Sequence, residues 1–173
     1  NFVVMNSTAN VTLAIGASPI MAHAHEEVDV ISTFSRALNL NIGTISPYWL
    51  DSMLIAGKVA GERGIPIILD PVGSGATPLR TEAAKRILSE LPVTVIRGNA
   101  SEILSLFTNE NKIRIRGVAS LEKADTVRDG ATRLAKELKK IIAITGEVDF
   151  ITDGERDIEV HNGNPMLAVV TGT

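Results

Sequence analysis

Short β-branched runs alternating with longer amphipathic stretches predict an α/β fold, a mostly parallel central sheet with helices on both faces. Three observations carry that prediction. Apolar runs recur at 38–42, 65–69, 93–96 and 141–144, and Ile65-Pro66-Ile67-Ile68-Leu69 is unbroken, as in a strand buried on both faces. Residues that start and stop helices fall between those runs. After about residue 145 the runs close up to 148–151, 158–160 and 167–170, the spacing of hairpins at a sheet edge.

Each element has its own signal. Residues 6–15 and 26–38 read as helices. Ser46-Pro47 is an N-cap followed by proline at the first helical position, and Gly64 closes that helix after Glu62-Arg63. Pro66 suits only the first residues of a strand, since it cannot donate to the ladder. Thr81-Glu82 is expected to open the next helix, and Asp125 another that ends in Glu137-Leu138-Lys139-Lys140, with cations at its negative pole. No linker, low-complexity tract or internal repeat interrupts the chain, so residues 1–173 are expected to form a single domain. The sequence opens at Asn1 on the apolar run Phe2-Val3-Val4-Met5 and stops at Val169-Val170-Thr171-Gly172-Thr173, so a domain incomplete at both ends is expected.

Composition narrows the function classes. With 45% hydrophobic and 21% charged residues among 173, the chain has enough apolar material for one core. Its net charge of −3 and its few aromatics (four Phe, one Trp, one Tyr) argue against a nucleic-acid partner, which needs a basic face and often stacking platforms. No run of about 18 apolar residues suggests a membrane helix. There is no Cys, which removes disulfide frameworks and thiolate metal sites and fits a cytoplasmic location.

In open α/β sheets ligands bind beyond the carboxyl ends of the strands, so the residues after each run are the candidates. Asp70-Pro71-Val72-Gly73-Ser74-Gly75-Ala76-Thr77-Pro78 follows the second run. A strand-end carboxylate with two glycines and two hydroxyls can hold a cation and let backbone N–H groups approach a phosphate; equally, the Asp can cap its own turn. No Gly-Lys-Ser/Thr follows, so this is not a Walker loop. Arg97-Gly98-Asn99-Ala100-Ser101-Glu102 follows the third run. Arg97 can clamp phosphate oxygens, and Asn99 with Glu102 has the spacing of a capping box. Thr145-Gly146-Glu147 follows the fourth, where a hydroxyl and a glycine serve a nucleotide or simply a tight turn. In the loop at 16–24, Met21 can line an apolar pocket or fill core. His23, His25 and His161 match no metal spacing and are expected to be surface or locally satisfied histidines.

Taken together, six segments carry a resemblance. Asn1-Phe2-Val3-Val4-Met5-Asn6-Ser7-Thr8-Ala9-Asn10, Ala17-Ser18-Pro19-Ile20-Met21-Ala22, Asn41-Ile42-Gly43-Thr44, the stretch from Asp70 to Pro78, Arg97-Gly98-Asn99-Ala100-Ser101-Glu102-Ile103 and Ile144-Thr145-Gly146-Glu147-Val148-Asp149 resemble the hydroxyethylthiazole kinase family, in that family's order and across essentially the whole sequence. The resemblance implies a ribokinase-like kinase domain that transfers the γ-phosphate of ATP to 4-methyl-5-(2-hydroxyethyl)thiazole in thiamine salvage. It further implies dependence on Mg²⁺ and a homotrimer with sites between subunits.

By the same resemblance, Met21 matches a thiazole-contacting position, and Gly172 the glycine of an anion-hole motif that also touches substrate. Arg97 and Thr145 match ATP-contacting positions, and Asn1 the phosphate-facing end of an ATP-site motif. Asp70 and Glu102 match the acidic residues around the phosphates and magnesium; with Gly172 they form the expected catalytic set. The family's motif continues beyond Thr-Gly-Thr into Gly-Cys, whereas this sequence stops at Thr173. Rival expectations are another small-alcohol kinase of the same fold, acting on a hydroxymethylpyrimidine or a sugar, and a non-catalytic nucleotide-binding module. A dehydrogenase is unsupported, because no G-x-G-x-x-G follows an early strand.

Overall fold

The computed structural model describes residues 1–107 and 124–169. Its centre is one six-stranded sheet in the order β1 (Leu38–Asn41), β2 (Ile67–Asp70), β3 (Val95–Asn99), β4 (Ile141–Thr145), β5 (Asp149–Thr152) and β6 (Asp157–Val160). The first four strands run parallel, and β5 and β6 add antiparallel as hairpins. The mostly parallel α/β sheet and its edge hairpins are thus as the sequence leads one to expect. The helices are α1 (Met5–Ala14), α2 (Val28–Phe34), α3 (Pro47–Glu62), α4 (Pro78–Glu90), α5 (Ala100–Ser105) and α6 (Ala124–Leu138).

The continuous apolar runs become the core because both faces of the central strands are covered. Leu40, Ile42, Ile67, Leu69, Ile96 and Ile142 are all nearly sealed from solvent, and they meet Leu54, Ala60, Ala83, Ala84, Ile87, Leu134 and Ala135 from the helices. Alanines on the helix faces let the helical backbones approach the sheet, while the branched strand residues supply the buried area, worth about 1.5–3 kcal/mol for each fully buried side chain. Helix α3 touches β1, β2, α2 and α4, and α6 packs on β4 and β5. Two strong starts fix α3 and α4. Ser46 Oγ accepts from Trp49 N at 3.3 Å, and Thr77 Oγ1 accepts from Arg80 N at 3.4 Å, each followed by Pro at the first helical position.

Five elements differ from the sequence reading by two residues or more. Helix α4 opens at Thr77-Pro78 rather than at Thr81-Glu82, because Thr77 is already extended and caps the turn while Thr81 lies inside it. The stretch 26–38 is helical only over Val28–Phe34, since Ser35 turns extended and Leu38 already pairs with Ile67. Strands β2 and β3 begin two residues later than expected and reach further, to Asp70 and Asn99, because the β3–β4 ladder continues to Asn99 opposite Thr145. The strand expected at 167–170 is absent from its described part. Pro165–Val169 is a 3-10 turn, capped where Asn164 Oδ1 accepts from Met166 N at 2.9 Å. Proline at its start fixes a helical φ and removes a ladder donor.

Candidate active site at the strand ends

Parallel strands deliver their carboxyl ends to a single edge, and the register there pairs Asn41 with Asp70 and Asn99 with Thr145. A hydrogen-bonded line runs along that edge. Asn1 Nδ2 donates to Asn41 Oδ1 at 2.9 Å, Asn41 Nδ2 donates to Asp70 Oδ2 at 2.9 Å, and Arg97 Nη1 donates to the same oxygen at 3.3 Å. Asn41 Oδ1 also accepts from Gly43 N at 2.9 Å, so both of its donors fix the amide with its NH₂ towards Asp70. A Cβ added at Gly43 would fall on the Asn1 side chain, which would then have to leave its place against Asn41.

Asp70 is the carboxylate of this line, its side chain 15% exposed. Burial pushes its carboxyl above the usual Asp range, the Arg97 charge pulls it back, and the nearby Glu102 raises it again. Among the described residues no protein donor reaches Asp70 Oδ1, which leaves one oxygen of a partly desolvated carboxylate for a ligand. Among the described residues Arg97 is held at one guanidinium nitrogen, and its side chain is 45% exposed, which leaves further donors for a ligand.

The loop after β2 departs from one expectation. Four of its backbone N–H groups are already taken: Gly73 N by Glu102 Oε1 at 2.8 Å, Ser74 N by Pro71 O at 2.9 Å, Gly75 N by Thr81 Oγ1 at 2.8 Å, and Ala76 N by Gly73 O at 3.0 Å. Its hydroxyls are engaged as well, Ser74 with Ser105 at 2.7 Å and Thr77 as the α4 cap. The loop is a scaffold rather than an open cradle of amides. Gly73, at φ +73°, makes the sharp turn that aims its N–H at Glu102.

Glu102 forms the capping box that its spacing predicts. Its Oε2 accepts from Asn99 N at 3.0 Å while Asn99 Oδ1 accepts from Glu102 N at 2.9 Å, a complete capping box. Its Oε1 reaches across to Gly73, so one carboxylate joins the β2 loop to the start of α5. Thr145 ends β4 beside Asn99, at the same edge. Met21 stands apart from the hydrogen-bonded line, in the segment between α1 and α2, 56% exposed rather than in the core. That segment is pinned to α3, with the His23 ring stacked on Trp49, the His25 ring on Tyr48, and Ser52 Oγ donating to His23 O at 2.6 Å. His25 Nε2 lies 2.9 Å from Tyr48 O and His161 Nε2 3.2 Å from Glu159 Oε2, while His23 is exposed, so the three are surface or locally satisfied histidines, as expected. Gly172 lies outside the described residues.

Two site residues escaped the sequence reading. Asn41 lies in a matched segment and at a strand end, but neither signal showed that it holds Asp70. Arg80 gave one that is legible afterwards: a cation in the first turn of α4, where the helix dipole disfavours it.

No group of three or more His, Asp or Glu side chains capable of holding a metal occurs among the described residues. What the edge offers instead is one or two carboxylates and an arginine, the arrangement that suits a cation shared with phosphate oxygens. No helix among the described residues is long and apolar enough to cross a membrane.

Comparison with known proteins places the architecture first. The fold is ribokinase-like: it is shared with the crystal structure of adenosine kinase from Sinorhizobium meliloti, at a TM-score of 0.59 and 17% identity over 82% of this chain and 39% of that one. The chain belongs to the hydroxyethylthiazole kinase family, whose profile matches residues 1–173. Similar proteins include the hydroxyethylthiazole kinases of Desulfosudis oleivorans, 67% identical, and Desulfotalea psychrophila, 54% identical, each matched over all of this chain and 63% of its own length. A solved hydroxyethylthiazole kinase from Pyrococcus horikoshii OT3 superposes at a TM-score of 0.88 with 43% identity, over all of this chain and 63% of that one. The chain therefore spans a little under two thirds of the length of these relatives.

Proposed function

We propose that the whole protein transfers the γ-phosphate of ATP to the hydroxyl of 4-methyl-5-(2-hydroxyethyl)thiazole, a salvage step towards thiamine. Family membership supports the reaction, and one structural observation supports its location. That observation is the line Asn1–Asn41–Asp70–Arg97 along the carboxyl edge of three neighbouring parallel strands. In this reading residues 1–173 are part of a single kinase domain.

Phosphoryl transfer asks a protein to align an alcohol with the γ-phosphorus and to neutralise charge on the transferred oxygens. Arg97 clamps ATP phosphate oxygens with the donors that Asp70 leaves free, and Thr145 and Asn1 border the nucleotide. Asp70 and Glu102 would hold Mg²⁺, Asp70 through its open oxygen and Glu102, whose two oxygens already accept N–H groups, by way of bound water. The ion would supply charge neutralisation at the phosphates when bound. Met21 contributes an apolar contact to the thiazole ring. The backbone N–H groups beginning at Gly172 would face the developing charge and complete the catalytic set.

A homotrimer with sites between subunits belongs to the same proposal. Helix α1 supports it, because it buries none of its residues and leaves Val11 and Leu13 exposed beside Phe2, Val3 and Ile15. A cytoplasmic location follows from ATP as co-substrate.

The test is a coupled assay of ADP release by the full-length protein, offered the thiazole alcohol, hydroxymethylpyrimidine and ribose in turn, with light scattering on the same sample. Turnover of the thiazole alcohol by a particle of three chains is expected. Turnover of ribose or of the pyrimidine alone would move the assignment to a sibling kinase, and no turnover of any alcohol would leave a nucleotide-binding module.

A further inference from the structure

Arg80 is a cation to which the reaction gives no task. It occupies the third position of α4, beside the partial positive charge of the helix start, a place that favours anions. Among the described residues no carboxylate pairs with it. Its guanidinium is instead spent on three backbone carbonyls from two loops. Nη1 donates to Val72 O at 2.8 Å and to Ile42 O at 3.4 Å, and Nη2 donates to Gly43 O at 2.8 Å. The stem of the side chain lies against Gly73, where an added Cβ would come within 2.9 Å of Arg80 Cδ.

Those carbonyls bracket the site from both sides. Ile42 and Gly43 follow β1, directly after Asn41, whose amide holds Asp70. Val72 follows β2, directly before Gly73, whose N–H is held by Glu102. One planar, forked cation therefore bridges the loop that orients Asp70 and the loop that receives Glu102. A lysine, with one nitrogen on a flexible stem, cannot reproduce that fork across three acceptors.

We infer that Arg80 is a positioning residue for phosphoryl transfer, fixing the separation of the two carboxylates Asp70 and Glu102 by riveting the loops after β1 and β2. This rests on the proposed kinase reaction for its catalytic part, while the riveting of the loops stands on the geometry alone. Misplacement of catalytic groups by about 1 Å can cost on the order of a hundredfold in rate. The loss should fall on kcat, because Arg80 touches backbone rather than the acceptor alcohol.

The experiment compares full-length parent, Arg80→Lys and Arg80→Ala by steady-state kinetics with the thiazole alcohol and by peptide-resolved hydrogen exchange. Arg80→Lys is expected to lower kcat about 30- to 100-fold with KM for the alcohol within twofold. Exchange in peptides covering 41–45 and 71–76 should speed at least tenfold, and added ethylguanidinium should restore at least fivefold of the activity lost in Arg80→Ala. Turnover of Arg80→Lys within threefold of the parent, or unchanged exchange in both loops, would overturn the proposal. So would loss of folding in both variants, which would make Arg80 a strut of the whole fold. If the parent phosphorylates no alcohol yet the loops still loosen in Arg80→Lys, the reaction is wrong and the rivet remains.

Discussion

At the scale of single residues the site is governed by one amide and one carboxylate. Asn41 is fixed by two donors, so its own NH₂ is committed to Asp70. Burial outweighs that help and holds the Asp70 pKa above its usual value. The sign of the consequence is definite. Between the unfolded value near 3.8 and the raised folded value, the native state keeps a proton that the unfolded chain has released, so stability falls as pH rises through that window. Asp70→Asn removes the charge and can still accept from Asn41. It is therefore expected to melt no lower than the parent at pH 7, with any gain vanishing below about pH 4, while kcat drops at least tenfold and the Mg²⁺ requirement rises. Tenfold is about 1.4 kcal/mol of barrier. Paired melting and rate measurements check it. A destabilised variant with normal turnover would make Asp70 a turn cap.

At the scale of elements, most caps were legible, the start of α4 at Thr77 excepted, and the reach of the strands was not. Ser46-Pro47, Gly64 and the Asn99–Glu102 box could be read because each is a local contest for orphan backbone groups, decided within four residues. The extension of β3 through Arg97-Gly98-Asn99 depends on β4, more than forty residues away, and no local signal announces it. The same holds for the β2 loop, where Ser105, Glu102 and Thr81 take the groups that the sequence alone offered to a phosphate. This sets a sharper test for Glu102. Its two oxygens serve two N–H groups, and Gln has only one acceptor, so Glu102→Gln must orphan either Gly73 N or Asn99 N. A loss of about 1–3 kcal/mol of stability is expected by denaturant melting. Asn99→Ala breaks the other half of the box for about 0.5–2 kcal/mol and leaves the carboxylate in place. A tenfold kcat loss confined to Glu102→Gln assigns that carboxylate to chemistry, whereas equal losses in both return it to the capping box.

At the scale of the whole molecule, the order of the sheet does the positioning. Four parallel strands in sequence order bring Asn41, Asp70, Arg97 and Thr145 towards one edge although they span about a hundred positions of chain. The α/β class and the edge hairpins followed from run spacing, and the six matched segments followed from residue identity. The bonds of Arg80 and Asn41 did not, because Arg80 meets backbone carbonyls of distant loops and Asn41 meets side chains that only the folded sheet brings beside it. The central claim is that this edge binds the phosphates of ATP. Calorimetric titration of ATP into the full-length protein and its Arg97→Ala variant, with matched melting curves, tests it directly. A lost charge-assisted clamp of about 1.5–3 kcal/mol predicts a Kd for ATP raised about 10- to 150-fold at an essentially unchanged Tm, since Arg97 is half exposed and packs against little. An unchanged Kd, or a variant that loses its fold instead of its ligand, would contradict the account.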